Sequence, residues 1–253
     1  MEKYFDLPGA DSAIRCKMYF KSPDQSFRHV VLFCHGFAGH KDNAAAQRLA
    51  GQILEKHSDT ALLIFNWPAH GDDAHEAISL ADCAAYLDRV IDWIRNTYDP
   101  FVLDVCATSF GGYLILKYLS EHDSSPFRRI CLRCPAIVMY DVLTEKILTA
   151  EDLAGLAAGT DALAGFDRKV VIRPSFLEEL KREDITGRDF SRWSGRIRIV
   201  QGMEDELVPW RAVSTFADRN GISCRLVEGA DHRFLVPGTM EIVISSFLDF
   251  LEL

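Results

Sequence analysis

Ser109 stands where an apolar, β-branched run over residues 101–106 changes into a helix-like stretch over residues 113–119. This change predicts a strand that turns sharply into a helix, with the serine exposed at the corner. At such a corner the backbone N–H of Phe110 lies at the helix N-terminus, where it can donate to a developing negative charge. A serine placed in this way can act as a nucleophile once a neighbouring base accepts its proton.

The residues two before and two after the serine must be small, because strand and helix pass close to each other at such a corner. They are Ala107 and Gly111. The usual pattern has glycine at both positions, so Ala107 adds one methyl group and predicts a slightly wider gap between strand and helix. The pattern alone is more typical of an ordinary loop between a strand and a helix. The prediction of a catalytic serine therefore depends on the side chains at the ends of the other strands.

Three further predicted strand ends carry reactive side chains. His35 and His40 follow the strand at 29–34, Asp205 lies among acidic neighbours after the strand at 196–200, and His232 follows the strand at 222–227. A histidine titrates near neutral pH, so His232 could accept the serine proton and return it to a leaving group. A carboxylate beside it would hold the imidazole in the required tautomer. Together these residue types predict nucleophilic catalysis.

Hydrophobic periodicity indicates the elements that would position these side chains. Apolar strand-like runs alternate with amphipathic helices along most of the chain. The predicted strands cover 2–7, 12–20, 29–34, 60–65, 101–107, 129–132, 196–200 and 222–227, and the predicted helices of the main body cover 43–56, 80–97, 113–119, 209–220 and 240–253. The first two strands should form an antiparallel hairpin around the turn at residues 8–11. The alternation predicts an α/β fold with a doubly wound, mostly parallel sheet, whose reactive crevice lies at the C-terminal strand ends.

About sixty residues separate the strand at 129–132 from the strand at 196–200, whereas a crossover needs only a dozen or so. Short helical pieces at 142–148, 150–158 and 176–182 and one β-like run at 169–172 occupy this interval. We therefore expect a core formed by residues 1–135 and 191–253, with residues 136–190 inserted as a mainly helical cap above the strand ends.

Composition narrows the possible partners. The 253-residue chain has a formal net charge of −9, which argues against a nucleic-acid or anionic-membrane surface. No leader-like N-terminus and no apolar run of about 18 residues is present, so a cytoplasmic location is expected.

Seven cysteines lie mostly in apolar runs and should be buried and reduced. The Cys131 and Cys134 pair and the set His70, Asp72, Asp73 and His75 have spacings that metal sites use, but neither has a second cluster, so no metal and no cofactor is expected.

Four motifs occur at the expected strand ends: His35-Gly36-Phe37, Ser109-x-Gly111-Gly112, Gly202-x-x-Asp205-x-x-Val208-Pro209 and Gly229-x-x-His232. With serine, acid and histidine in this chain order, the sequence resembles the α/β-hydrolase family over essentially its whole length. It departs from the family pattern at Ala107. It departs again in the turn at residues 66–71, where the family usually has an Arg-Gly-His-Gly type of sequence.

The resemblance implies a triad of Ser109, Asp205 and His232, with the backbone N–H groups of Phe37 and Phe110 as the oxyanion hole. Asp205 matches the family motif by its distance from Gly202 and Pro209, while its acidic neighbours are expected to face solvent. Its competitors are Glu204, Glu206, Asp231 and Asp141, the last because a few members carry the acid after the preceding strand. His35 and His70 are expected to be structural.

The expected reaction is hydrolysis of a small-molecule carboxylic ester through an acyl-serine intermediate, since a serine at the corner excludes the dehalogenase variant. The cap is similar in size to that of feruloyl and cinnamoyl esterases and small carboxylesterases. Candidates for an acyl or aryl pocket are Trp67, Met139, Tyr140 and Leu143, together with Ile147 and Phe166, and each could equally be a core residue. A thioesterase, a lipase, a peptidase or a non-catalytic ligand-binding member of the fold remains an alternative, and the oligomeric state is open.

Overall fold

A computed structural model describes residues 1–8, 12–22, 26–99 and 102–253. Its main sheet has eight strands in the order β1-β2-β4-β3-β5-β6-β9-β10, and β7 and β8 form a separate two-stranded sheet. The strands are β1 Glu2–Leu7, β2 Ile14–Tyr19, β3 His29–Cys34, β4 Thr60–Phe65, β5 Val102–Thr108, β6 Ile130–Arg133, β7 Ala162–Ala164, β8 Val170–Ile172, β9 Ile197–Gly202 and β10 Ser223–Val227.

In this strand order the sheet is parallel from β4 to β10, and its antiparallel pairings are β1 with β2 and β2 with β4, at one edge. This confirms the predicted doubly wound, mostly parallel sheet with its N-terminal hairpin. The turn of that hairpin falls partly on residues 9–11, and the first residue of the predicted strand at 101–107 is residue 101; these lie outside the described residues. Every residue of β4 is buried, as both faces of a parallel sheet require.

Helices cover both faces. They are α1 Ala44–Lys56, α2 Leu80–Tyr98, α3 Phe110–Glu121, α4 Met139–Asp141, α5 Ala150–Ala157, α6 Pro174–Arg182, α7 Trp210–Asn220 and α8 Thr239–Leu251. Because successive strand residues point to opposite faces, Val31 and Phe33 pack with α1 and α8, whereas Val30 and Leu32 join the larger core that includes α2 and α3. The reactive strand ends are thus supported from two sides.

Helix boundaries follow local capping chemistry. The Asn43 side chain accepts from the backbone N–H of Ala46 at the start of α1, and the Ser79 side chain accepts from the backbone N–H of Asp82 at the start of α2. Gly221 ends α7 with φ of 65°, a left-handed conformation that glycine adopts without strain. The sequence predicted these three helices to within a few residues.

The segment at residues 136–190 contains α4, a π-helix over Val142–Ile147, α5, the β7–β8 hairpin and α6. The predicted helical pieces are present, and the β-like run at 169–172 forms β8. Its partner β7 was not predicted, because a three-residue strand whose central Leu163 is 61% exposed has no hydrophobic periodicity to detect. A 3₁₀ helix over Ser191–Arg196, also not predicted, leads back into β9.

None of the helices in the described part of the chain is long and apolar enough to cross a membrane.

One buried carboxylate stabilises the end of the sheet opposite the strand C-termini. Asp104 in β5 has no exposed side-chain surface and accepts from His29 Nε2 at 2.8 Å, from Arg128 Nη2 at 2.7 Å and from the backbone N–H of Arg129 at 2.8 Å. Burial alone would raise the pKa of this carboxyl, but the hydrogen bonds from His29 and Arg128 hold the pKa below its ordinary value.

We expect Asp104→Ala to lower the free energy of unfolding by about 3 kcal/mol, since the substitution leaves the donors without their buried acceptor. The matched control is Asp6→Ala, which removes a half-exposed carboxylate paired with Arg15 and should cost less than about 1 kcal/mol. Urea denaturation measures both values. Equal losses in the two variants would contradict the assignment.

Candidate active site

Ser109 sits at the corner between β5 and α3 with φ of 53° and ψ of −119°. A non-glycine residue with positive φ is strained, and such strain persists only where neighbouring structure holds it. Here the Ser109 N–H donates to Arg133 O at 3.0 Å, and Ser109 O accepts from the N–H groups of Tyr113 and Ala136, each at 3.1 Å. Backbone hydrogen bonds from two directions therefore fix the serine at this corner, as the sequence predicted.

The small residues around the serine are required by close approach. A Cβ on Gly111 would lie 2.5 Å from Cys34 O and 2.7 Å from His35 O, the carbonyls at the end of β3. A Cβ on Gly36 would lie 3.1 Å from Ser109 Cβ, so the loop after β3 passes directly against the serine. Ala107 is buried, and the corner forms with alanine at this position. The slightly wider gap expected there stays a prediction.

His232 and Asp205 form a hydrogen-bonded pair. His232 Nδ1 lies 3.0 Å from Asp205 Oδ1 and 2.9 Å from Asp205 Oδ2. The Asp205 carboxylate has no exposed surface, whereas His232 is 7% and Ser109 9% exposed. The Ser109 hydroxyl and the His232 ring, both within the described ranges, are not hydrogen bonded to each other, and such bonds are commonly long until substrate binds.

Backbone and side-chain donors hold Asp205 in place. Its Oδ1 accepts from the N–H groups of Leu207 at 2.9 Å and Val208 at 2.8 Å, and its Oδ2 accepts from Gln201 Nε2 at 2.9 Å. Burial raises the pKa of the Asp205 carboxyl, but hydrogen bonds and the charge of His232 more than offset this effect, so the pKa lies below its ordinary value. The carboxylate is therefore ionised and oriented towards His232.

The competing acids do not contact the histidine ring. Asp141 and Glu204 are exposed, and Asp231 Oδ1 accepts from the backbone N–H of Leu235. Glu206, expected to face solvent, is exposed, yet its Oε2 accepts from the backbone N–H of His232 at 3.2 Å. Among these candidates, Asp205 alone pairs with the imidazole.

Two residues of this site were missed from the sequence. Gln201 is fully buried and donates to Asp205, and Cys134, just after β6, is fully buried with its thiol near the same carboxylate. Interaction with this thiol also favours the charged form of Asp205 and helps to lower its pKa. A polar amide at the end of an apolar strand was the available signal for Gln201. The sequence distinguished Cys134 only by its spacing from Cys131, which gave no sign of a contact with Asp205.

Phe37 and Phe110, the candidate oxyanion residues, lie side by side. Their rings meet edge to face with centroids 6.0 Å apart, and both side chains are buried. Neither backbone N–H donates to another residue within the described ranges. Because the Gly36 backbone passes against Ser109, the loop after β3 and the N-terminus of α3 both reach the serine.

A layer of buried rings supports this loop. His35 Nδ1 donates to Gly36 O at 2.8 Å, and Trp67 Nε1 donates to His35 O at 3.0 Å. The His70 ring stacks on Phe110 and meets Phe37 edge to face. Both histidines therefore have the structural role expected of them. Burial lowers the pKa of His70 to about 4 and places that of His35 well below its ordinary value, so both rings are neutral at pH 7.

The unusual turn at residues 66–71 has its own set of contacts. Asn66 Oδ1 accepts from the backbone N–H of Lys41, and Asn66 Nδ2 donates to Asp72 Oδ1, both at 2.6 Å. Lys41 Nζ completes the set with a 2.5 Å contact to the same Asp72 oxygen. This network holds the loop where the family pattern has arginine. In the same turn His70 Nδ1 donates to Pro68 O at 2.8 Å.

Three of the four expected pocket residues are buried. Trp67 and Leu143 have no exposed surface and Met139 is 2% exposed, and all three belong to the larger apolar core. Their burial favours the alternative that each is a core residue, and their role in a pocket stays a prediction. Tyr140 is partly buried, with Lys181 Nζ 5.2 Å from its ring centroid, and it remains a candidate.

The protein has a mostly parallel α/β sheet, with a serine after β5, an acid after β9 and a histidine after β10. This arrangement is the one that defines the α/β-hydrolase class. The sequence profile of the alpha/beta hydrolase fold matches residues 29–155, and the chain belongs to this family.

Solved structures share this fold over almost the whole chain. Est1E from Butyrivibrio proteoclasticus, solved with ferulic acid bound, is 18% identical with a TM-score of 0.72, and the match covers 98% of each chain. The alpha/beta hydrolase GrgF from Penicillium sp. sh18 is 15% identical with a TM-score of 0.72, covering 100% of this chain and 98% of that one. Alpha/beta hydrolase domain-containing protein 10 from mouse is 15% identical with a TM-score of 0.67, covering 99% and 98%. No curated protein sequence matches the chain.

We expect Gly111→Ala to disrupt the corner, because the added methyl group would lie within 2.8 Å of two backbone carbonyl oxygens that cannot move without shifting β3. The control is Gly51→Ala in α1, where a Cβ meets nothing within 4 Å and should be neutral or stabilising. Thermal unfolding measures both. A wild-type midpoint for Gly111→Ala would contradict the close approach.

Neutral His70 should make stability depend on pH. The unfolded histidine binds a proton below about pH 6.5, whereas the folded ring does so only near its pKa of about 4. Stability is therefore fully present above pH 6.5 and falls by about 1.4 kcal/mol per pH unit between these values. Urea denaturation at several pH values should give a shallower dependence for His70→Gln. An unchanged dependence in this variant would show that His70 is not the titrating group.

Proposed function

We propose that this protein is a serine hydrolase that cleaves carboxylic esters through an acyl-serine intermediate. The observation that carries the proposal is the hydrogen-bonded pair of His232 and buried Asp205, which lie after β10 and β9 and accompany a strained serine at the β5–α3 corner. The structural pair of His29 and Asp104 has similar hydrogen bonds, but it lies at the opposite end of the sheet, whereas the pair of His232 and Asp205 lies at the strand ends that carry the serine.

In the proposed acylation step, His232 Nε2 accepts the hydroxyl proton of Ser109 as Oγ attacks the ester carbonyl carbon. Asp205 accepts from His232 Nδ1, which keeps Nε2 free as the base and stabilises the imidazolium that forms. The tetrahedral intermediate collapses as His232 returns the proton to the leaving alkoxide. In the deacylation step, a water molecule takes the place of the alcohol, attacks the acyl-serine intermediate and releases the carboxylic acid.

The backbone N–H groups of Phe37 and Phe110 are proposed to bind the oxyanion. Losing one such donor typically costs about 10²- to 10³-fold in rate. The support is their position: one follows Gly36, which touches the serine, and the other begins α3. The neutral ring layer beneath them adds no positive charge that would hold a product carboxylate.

The proposed substrate is a carboxylic ester of a small to medium acyl or aryl group, with residues 136–190 as the cap. Two contacts support this role of the segment: a Cβ on Gly165 would lie 2.8 Å from Ala38 Cβ, and the Phe176 ring lies 6.4 Å from that of Phe110. Leu163 and Phe166 of the β7–β8 hairpin are 61% and 50% exposed, which gives the segment apolar surface. Est1E, which carries ferulic acid, is similar in fold and length.

The first test is a panel of nitrophenyl esters of increasing chain length, hydroxycinnamate esters, thioesters and amides. Wild-type protein should hydrolyse esters fastest, and Ser109→Ala should lose about 10⁶-fold. Ser245→Ala, on the exposed face of α8, is the matched control and should keep the wild-type rate. Inert wild-type protein on every substrate would favour the ligand-binding alternative, and preference for thioesters or amides would reassign the substrate.

The second test concerns the acid. Asp205→Asn should lower kcat by about 10⁴-fold, because an amide orients the imidazole in the wrong tautomer. Asp141→Asn, which changes an exposed carboxylate, should retain activity. Steady-state kinetics on the best ester of the panel compares them. A near-normal rate for Asp205→Asn would remove this residue from the mechanism.

A further inference from the structure

A thiol, a carboxylate and an imidazole converge beside the proposed catalytic serine. One ligand atom each from Cys134, Asp205 and His232 lies within 4.8 Å of the other two. Within the described part of the chain this is the only group of three or more such residues that could hold a metal ion. Hydrolysis by the serine mechanism does not use the thiol, so its position needs a separate account.

Backbone structure fixes all three positions. Cys134 follows β6 with φ of 44°, and its N–H donates to Val200 O of β9 at 3.0 Å. The Asp205 carboxylate is held by two backbone N–H groups and Gln201, and His232 is held by the carboxylate. The cluster therefore belongs to strand ends that are held by hydrogen bonds, and binding there costs little ordering entropy.

The donor set matches a soft or borderline divalent cation. Zinc binds thiolate sulfur at about 2.3 Å, imidazole nitrogen at about 2.0 Å and carboxylate oxygen at about 2.1 Å, so donors within 4.8 Å of one another need only small side-chain rotations to surround it. Thiolate and carboxylate together carry two negative charges, which neutralise Zn²⁺ in a buried site. Three protein donors also leave a fourth position open.

We propose that Cys134, Asp205 and His232 form an inhibitory site for Zn²⁺ that switches the hydrolase off. The effect on activity rests on the proposed function, whereas the metal binding does not. The ion enters from the His232 side, which is the exposed edge of the cluster. Occupation converts the acid and base of the hydrolase into metal ligands.

The proton balance explains the inhibition. Zn²⁺ bonds to Cys134 Sγ and displaces the thiol proton to solvent, and it bonds to His232 Nδ1 while the Nδ1 proton is replaced by one on Nε2. The ring stays neutral, so one proton is released per ion. Protonated Nε2 cannot accept the Ser109 hydroxyl proton, and the hydrogen bond between His232 and Asp205 is lost.

The matched control lies three residues earlier in the chain. Cys131 is also fully buried, but its thiol lies beside Cys106 within the sheet and outside the cluster. Cys131→Ala therefore removes a buried thiol without removing a metal ligand. Comparing it with Cys134→Ala separates loss of the site from a general effect of cysteine removal or of adventitious zinc at the surface.

The inhibition experiment titrates Zn²⁺ into each protein in a phosphine reductant and expresses ester hydrolysis relative to that protein's own metal-free rate. Wild type and Cys131→Ala should be inhibited at the same concentration and recover on adding EDTA. Cys134→Ala should need at least about 100-fold more Zn²⁺, since removing a ligand costs at least as much as removing its outer-shell partner. Equal sensitivity of Cys134→Ala and wild type would overturn the proposal.

A binding experiment is independent of catalysis. Co²⁺ added to wild-type protein should give a thiolate-to-cobalt charge-transfer band with one ion per chain, present in Cys131→Ala and missing in Cys134→Ala. No band in wild type would overturn the metal site. A band in protein that hydrolyses no ester would leave the metal site standing and reject the proposed function instead.

Discussion

The structure depends on the contact between the backbone after β3 and the first turn of α3. Only a hydrogen atom fits at Gly111, because the carbonyls of Cys34 and His35 occupy the space of a side chain. This contact brings the loop after β3 and the helix N-terminus to the same point. Ser109 accepts a strained conformation there, and the strain is balanced by hydrogen bonds from β6 and from the chain that follows it.

Charge is distributed unevenly around this point. On one side lies an ionised, fully buried Asp205, which needs three donors besides His232 to remain charged without solvent. On the other side, His35 and His70 are buried as neutral rings whose pKa values lie below their ordinary range. The imidazole of His232 lies at the edge of the charged side and keeps some solvent contact. One buried carboxylate paired with one imidazole that reaches solvent is the arrangement on which the proposed proton transfer depends.

The sequence predicted most of the frame because its signals were local. The apolar run over β4 and the caps at Asn43 and Ser79 follow from nearest-neighbour physics. Asp205 was singled out among the neighbouring acids by its spacing from Gly202 and Pro209, and it is the one paired with His232. The features that could not be predicted depend on contacts distant in the chain. Cys134 meets Asp205 only through the pairing of β6 with β9, and Trp67, Met139 and Leu143 are closed off from solvent by packing that no local pattern encodes.

The segment after β6 begins only after the chain has made its backbone hydrogen bonds to β9 and to Ser109. The Cys134 N–H donates to Val200 O of β9, and the Ala136 N–H donates to Ser109 O, so both hydrogen bonds precede residue 137. The 3₁₀ helix at Ser191–Arg196 then returns the chain directly into β9. The backbone hydrogen bonds that hold Ser109 therefore come from Arg133, Tyr113 and Ala136 and not from residues 137–190. For evolution this means that changes at the exposed positions of the segment, such as Leu163 and Phe166, can accumulate while the serine corner keeps its backbone hydrogen bonds.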